Sequence, residues 1–174
     1  MLHHKTYDNG LNLIVKEGGA MSCNFAIVVG TGSVNETAKN NGISHLIEHM
    51  SFKGTKNYSA VEIPEIMESE GVNFNAFTAS EVTAYYAQTI TDSLEKTFKI
   101  MSEMVCSSTF PEEEFEKERN VIIEEINMSE DTPDDVCYDL AQKAYFGTNG
   151  YGRTILGPKK NIQNIIISYN KDNK

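Results

Sequence analysis

His45-Leu46-Ile47-Glu48-His49 is the stretch on which the reading of this chain turns. Its two histidines and glutamate stand at i, i+3 and i+4, and on an α-helix side chains at those offsets share one face. Two imidazoles one helical turn apart bind a first-row metal, most often zinc, and a neighbouring carboxylate can activate water there. The flanks agree with a helix running from about Gly42 to Phe52, with Ile43, Leu46, Ile47 and Met50 as the apolar surface it buries.

Working outward, residues 5–17 read as a hairpin, with Asp8-Asn9-Gly10 as the turn and Leu11 to Val15 as the returning strand. Asn24 to Val29 is a second, buried strand, ended by Gly30-Thr31-Gly32-Ser33. Those glycines are no dinucleotide fingerprint, because a polar loop from Asn35 to Asn41 follows instead of a helix. Beyond the motif, Gly54-Thr55-Lys56-Asn57 is loop. Ser59 and Glu62 form a capping box for a helix that takes Pro64 in its first turn and ends at Gly71. Residues 72–78 and 81–90 read as strands about a turn at Ala79-Ser80. Asp92 and Glu95 cap a helix whose expected stripe is Leu94, Phe98, Met101 and Val105. Pro111 opens a long helix from Glu112 to about Ser129, whose first acidic residues complement the helix dipole. Thr132-Pro133 opens another, expected to carry Val136, Leu140 and Ala144 inward and to stop at Gly147. Asn149 to Gly152 is loop, a last helix starts after Pro158, and Asn170 to Lys174 is a polar, frayed end. The fold class is α+β: one domain over residues 1–174, with a mixed, largely antiparallel sheet and helices packed on one face.

Composition narrows the function. The 174 residues are 40% hydrophobic and 23% charged, ordinary globular values, with a net charge of -10. That surplus of acid argues against nucleic acid and against anionic membrane surfaces, and suits a positively charged peptide better. Cys23, Cys106 and Cys137 are odd in number and far apart, so they suggest neither a disulfide framework nor a Cys-zinc site. Reduced thiols fit a cytoplasmic protein. No run reaches the ~18 apolar residues of a membrane helix, and the N-terminal Met-Leu-His-His-Lys lacks a signal-peptide core. His3 and His4 belong to a flexible terminus, the methionines are core filler, and Tyr85 and Tyr86 pack on opposite sides of a strand.

A catalytic zinc needs a third protein ligand beyond two histidines. The helix from Glu112 is the place to look, since it holds Glu118, Glu124 and Glu125. At ~100° per residue, Glu125 falls within about 20° of Glu118, whereas Glu124 lies about 120° from Glu118. Phe115, Val121, Ile122 and Ile126 flank the Glu118/Glu125 side. A carboxylate bordering a buried stripe is costly unless paired or metal-bound. Glu125 as ligand with Glu118 behind it resolves that, although Glu118 could instead pair with Arg119 or Arg153.

His45-x-x-Glu48-His49 is the inverted zinc motif. The chain resembles the pitrilysin, insulin-degrading enzyme and mitochondrial processing peptidase family, the inverzincin metallopeptidases. In that family a distal glutamate lies in a helix of pattern Glu-Arg-x-x-x-x-x-Glu, and this chain has Glu118-Arg119 through Glu125. Asn41 to Ser44, Met50 to Thr55, Asn75-Ala76-Phe77-Thr78, Tyr85-Tyr86 and Gly152-Arg153 to Leu156-Gly157 resemble family segments as well, so the likeness spans residues 7–168. The resemblance implies one zinc ion per chain on His45, His49 and Glu125, with Glu48 as general base and Glu118 supporting catalysis. It implies that Asn75, Ala76, Phe77 and Thr78 pair edge to edge with an extended peptide or unfolded polypeptide; Asn75 read by itself is equally a strand-edge turn residue. Family members are about two such domains long or more, so a C-terminal half or partner subunit is expected to complete the enzyme. Two other readings stand beside this zinc endopeptidase: a peptide-binding half that keeps the site without catalysis, and an S-ribosylhomocysteine-lyase-like metalloenzyme using Cys106 or Cys137 as a ligand.

Overall fold

The computed structural model describes residues 1–166; the expected polar end from Asn170 to Lys174 lies outside the described residues. Strands β1 (Leu2–Thr6) and β2 (Asn12–Lys16) form the N-terminal hairpin, registered Leu2 against Lys16 and Thr6 against Asn12. Its turn uses Gly10 at φ +87°, where a side chain would be strained, and Leu11 N–H donates to Asn9 Oδ1 at 3.1 Å. Every residue of both strands is exposed.

A second sheet is separate. β3 (Ser22–Val29), β4 (Asn73–Thr78) and β5 (Thr83–Ile90) lie in the order β3-β5-β4, and both pairings are antiparallel. The mixed sheet expected from the sequence is thus two wholly antiparallel sheets among the described residues. The reason for the tight β4–β5 pairing is the short reversal at residues 79–82, closed by Ala79 N–H donating to Val82 O at 2.8 Å. Period-two alternation along β5 turns Tyr85, Ala87 and Thr89 inward and Tyr86, Gln88 and Ile90 outward.

Six helices complete the described chain: α1 (Ile43–Ser51), α2 (Glu62–Ser69), α3 (Leu94–Cys106), α4 (Glu112–Glu130), α5 (Pro133–Phe146) and α6 (Lys159–Asn164). None is long and apolar enough to cross a membrane. The capping box at the start of α2 is present: Glu62 N–H donates to Ser59 Oγ, and Ser59 N–H to Glu62 Oε2. The inner face of the sheet meets α2 and α3 in one core, built on Ile63, Met67, Tyr85, Ala87, Ile100, Met101 and Met104. A second core joins Leu46 and Met50 of α1 to Phe115, Ile122 and Ile126 of α4 and Ile162 of α6. Each fully buried aliphatic side chain here contributes about 1.5–3 kcal/mol, so α1 is fastened to α4 by the same residues that aim their polar neighbours at each other.

Four expectations about faces need correcting. In α3 the buried residues are Thr97, Ile100, Met101 and Met104, a strict i, i+3, i+4, i+7 set, while Phe98 is 51% exposed. Thr97 takes the place of a larger apolar residue because its hydroxyl donates to Ser93 O at 2.7 Å and needs no water. In α5 nothing is buried: Val136 is half-buried and Leu140 and Ala144 are exposed, because the helix packs on α4 and residues 150–152 and not on either core. Ile47 and Val121 are also exposed, each 43%.

Candidate metal and active site

The site is built where α1 crosses α4. At the start of α1, Gly42 is in the left-handed region at φ +99°, and a Cβ there would meet Leu156 O at 2.5 Å and Ile162 Cδ1 at 2.7 Å. Only glycine allows the chain to turn into the helix so close to residues 156–162. One turn on, His45 and His49 stand T-shaped with ring centroids 4.5 Å apart. Glu125 of α4 reaches between them: its Oε2 is 3.7 Å from His45 Nε2 and 3.5 Å from His49 Nε2. Among the described residues these three form the one group whose donor atoms converge as a metal set would require, all within 4.8 Å of one another. Zn–N and Zn–O bonds of about 2.0–2.1 Å in a tetrahedron put neighbouring ligand atoms about 3.3 Å apart. Two imidazole nitrogens and one carboxylate oxygen at these spacings fit such an ion, with one position left open.

The surroundings differentiate the two histidines. His49 Nδ1–H donates to Glu118 Oε2 at 2.9 Å, which leaves Nε2 free to face Glu125. Glu118 is itself held by Lys53, whose Nζ is 2.7 Å from Oε1. Burial pushes the Glu118 carboxyl up, but Lys53 and His49 more than offset it and hold it below the usual carboxylate range. Arg119 and Arg153, the alternative partners, lie elsewhere: Arg119 pairs with Glu116, and Arg153 donates to Glu36 O and Thr148 O. His45, by contrast, has a buried Nδ1 with no hydrogen-bond partner among the described residues. Burial first, and then the neighbouring His49, push its pKa down to about 4, so its imidazole is neutral at pH 7, the form that ligates metal.

Glu48, on the same face of α1, is buried. Burial raises its pKa; the opposing hydrogen bond from Thr78 Oγ1 to Glu48 Oε2, 2.5 Å, is outweighed. A carboxyl raised in this way, and held by one fixed donor, is suited to gaining and losing a proton. Thr78, expected as a substrate contact, therefore has its side chain engaged with Glu48. Asn75, Ala76 and Phe77 lie on β4, an edge of the three-stranded sheet among the described residues. Ala76 N–H is covered by Asn75 Oδ1 at 2.8 Å, and Phe77 is 49% exposed beside Tyr86.

A cleft of about 390 Å³ opens onto His45 and Glu48, walled by Ala76, Phe77 and Thr78 on one side and by Asp135, Tyr138 and Asp139 of α5 on the other. Burial, and then the charge of Asp135, raise the Asp139 pKa. The Asp135/Asp139 pair and Lys53 were not singled out from the sequence. Their one signal is spacing: Lys53 is one helical turn past His49, and the two aspartates are one turn apart on α5.

An α+β domain that converges two histidines of one helix on a glutamate of another, with a buried carboxyl alongside, carries the donor set of the inverted zinc motif. The chain belongs to the insulinase family, peptidase family M16, whose sequence pattern matches residues 13–159. It is 40% identical to the uncharacterized zinc protease YmxG of Bacillus subtilis over 99% of this chain and 41% of that protein. It is 36% identical to the mitochondrial-processing peptidase subunit beta of Bos taurus over 91% of this chain and 32% of the subunit. Among solved structures, a protease from Helicobacter pylori superposes with a TM-score of 0.86 at 27% identity, covering 96% of this chain and 41% of that one. The chain thus spans less than half the length of these relatives. The α+β fold and the zinc-protease kinship read from the sequence hold. The lyase-like reading does not: Cys106 and Cys137 are exposed, and the convergent group contains Glu125 and no cysteine.

Proposed function

We propose that this chain carries the catalytic zinc site of a metalloendopeptidase, with one zinc on His45, His49 and Glu125 and with Glu48 as general base. The observation that carries the reading is Glu125 Oε2 standing 3.5 and 3.7 Å from the two Nε2 atoms, although it comes from a helix far along the chain. Zinc bound there supplies Lewis-acid chemistry, lowering the pKa of a water towards 7 and polarising a carbonyl. Glu48 takes a proton from the attacking water as its oxygen bonds to the peptide carbon. It returns that proton to the leaving nitrogen as the C–N bond breaks. Thr78 fixes the orientation of Glu48 throughout, and Glu118 fixes His49. The free edge of β4 supports an extended peptide as substrate, added as a further strand with Ala76 N–H released from Asn75. Asp135 and Asp139 support a basic residue near the scissile bond, since a cation would offset both the burial that raises Asp139 and the charge of Asp135 beside it. Catalysis at full rate is proposed to need a C-terminal half or partner subunit, in keeping with the share of its relatives that the chain spans, and the cytoplasm is the proposed setting.

The test is Glu48→Gln. The variant should keep one zinc per chain and lose peptide hydrolysis, assayed with the complementary half present. Loss of zinc would show Glu48 to be a ligand and not the base. Zinc bound in the wild type with no cleavage when both halves are present would favour a non-catalytic peptide-binding half.

A further inference from the structure

The helix that carries the motif has no cap of its own. Its N-cap is Gly42, which offers no side chain, yet the first amides of a helix need acceptors. Glu36, six residues upstream in a loop, supplies two of them, while Ile43 N–H donates to Asn40 O at 3.0 Å. Its Oε2 accepts from Gly42 N–H at 2.8 Å and from Asn41 Nδ2 at 2.8 Å, and its Oε1 accepts from Ser44 N–H at 2.7 Å. The carboxylate is 6% exposed, and these three partners are neutral N–H groups at the positive end of α1. The Glu36 loop is in turn tied to the wall of the cleft. Arg153 Nη1 donates to Glu36 O at 2.5 Å, Asn41 Nδ2 donates to Thr154 O at 2.8 Å, and Asn161 Nδ2 donates to Ala38 O at 3.0 Å.

His45 is the next residue after Ser44. A metal-ligating imidazole is usually aimed by an acceptor on its other nitrogen. His49 has one in Glu118, whereas His45 Nδ1 has no partner among the described residues. The direction of His45 Nε2 therefore depends on where the first turn of α1 is held.

We propose that Glu36 is a positioning residue of the metal site, fixing the first turn of α1 and through it the aim of His45, as Glu118 does for His49. This rests on the zinc reading above. Glu36→Gln keeps the shape but not the acceptors: whichever way the amide is turned, its NH₂ abuts an N–H donor. Zinc affinity is measured by chelator competition for wild type, Glu36→Gln and Glu36→Asp, at a temperature where each is folded by circular dichroism. Amide hydrogen exchange is followed on the same zinc-free proteins. Glu36→Gln should weaken zinc by about tenfold or more, with faster exchange concentrated in residues 42–46; Glu36→Asp, which keeps the charge, should fall between it and wild type. Should Glu36→Gln not fold, the Asp variant carries the same comparison. A variant that melts lower but binds zinc as wild type does, or one whose exchange rises evenly through α3 and α4, overturns the proposal by making Glu36 merely structural. A wild type that binds no zinc is a different result, and sinks the metal site itself.

Discussion

Lys53→Met isolates the electrostatics behind the site without touching a donor. Methionine keeps the length and apolar stem of the lysine but removes the ammonium from Glu118, which stands 2.7 Å away with 9% of its side chain exposed. Exposed ion pairs contribute about 0.2–1 kcal/mol, and stripping one partner from a buried pair costs about 3–5 kcal/mol. Lys53 is 28% exposed, so this pair lies between those limits, at about 2 kcal/mol. In a domain of this size that is a fall in Tm of about 4–8 °C. The pH dependence carries the diagnosis. Glu118 is held below the usual carboxylate range when folded, so its contribution is present above the unfolded value of about 4.3 and is lost as pH falls through the folded pKa. In the variant the cation is gone and the burial remains, so Glu118 protonates at higher pH and the penalty is relieved. Urea melts of zinc-free wild type and variant should therefore differ by about 2 kcal/mol at pH 7 and by clearly less at pH 4. Equal differences at both pH values would refute the reasoning, because a loss of packing does not titrate.

Other expectations follow from neighbouring features. Gly42→Ala forces a side chain into the left-handed region, about 1–2 kcal/mol, and into contact with Leu156 O, so a loss of about 3 kcal/mol in denaturant melts is expected. His45 titrates at about 4 in the fold against 6.5 unfolded. The unfolded chain binds the extra proton between those values, so the zinc-free protein should lose about 2–3 kcal/mol as pH falls from 6.5 to 4, and His45→Gln should flatten that limb of the stability profile. Asp135→Asn with Asp139→Asn should raise KM about tenfold for peptides with arginine near the scissile bond and leave an uncharged analogue unaffected, which steady-state kinetics would read.

The sequence made the helices of the site legible because their signals are local. Pro111 marks the start of α4, and helical rotation brings Glu118 and Glu125 to one side while turning Glu124 outward, where it is exposed in the fold. What was not legible depends on what a face packs against. Thr97 is buried in place of Phe98 because its hydroxyl is satisfied by its own helix. Leu140 has the right period to be buried, but α5 packs mainly on α4 and residues 150–152, and its apolar side borders an open cleft of about 530 Å³. Glu36 was invisible for another reason: a carboxylate in a polar loop reads as solvated surface, and only the tertiary fold brings it to the amides of α1.

The charges around the site bear on the chemistry it is proposed to perform. Glu48, Glu118 and Glu125 bring three carboxylates together, and Lys53 is paired with one of them, Glu118. Burial is the main cause that raises the Glu48 pKa; of the neighbouring charges, His49 lowers it and Glu125 raises it. One divalent ion on His45, His49 and Glu125 would add positive charge beside Glu48 and lower its pKa from the raised value, so metal binding and the proton affinity of the base are linked. Metal loading and catalytic competence would then be coupled through charge as well as through ligation. On that reasoning zinc should stabilise wild type by an amount that grows with free zinc above Kd. Glu125→Gln, which removes both a ligand and the charge facing Glu48, should abolish that dependence while leaving the zinc-free chain at least as stable as wild type; a zinc-free Glu125→Gln chain that melts well below wild type would show that the carboxylates are not in net repulsion.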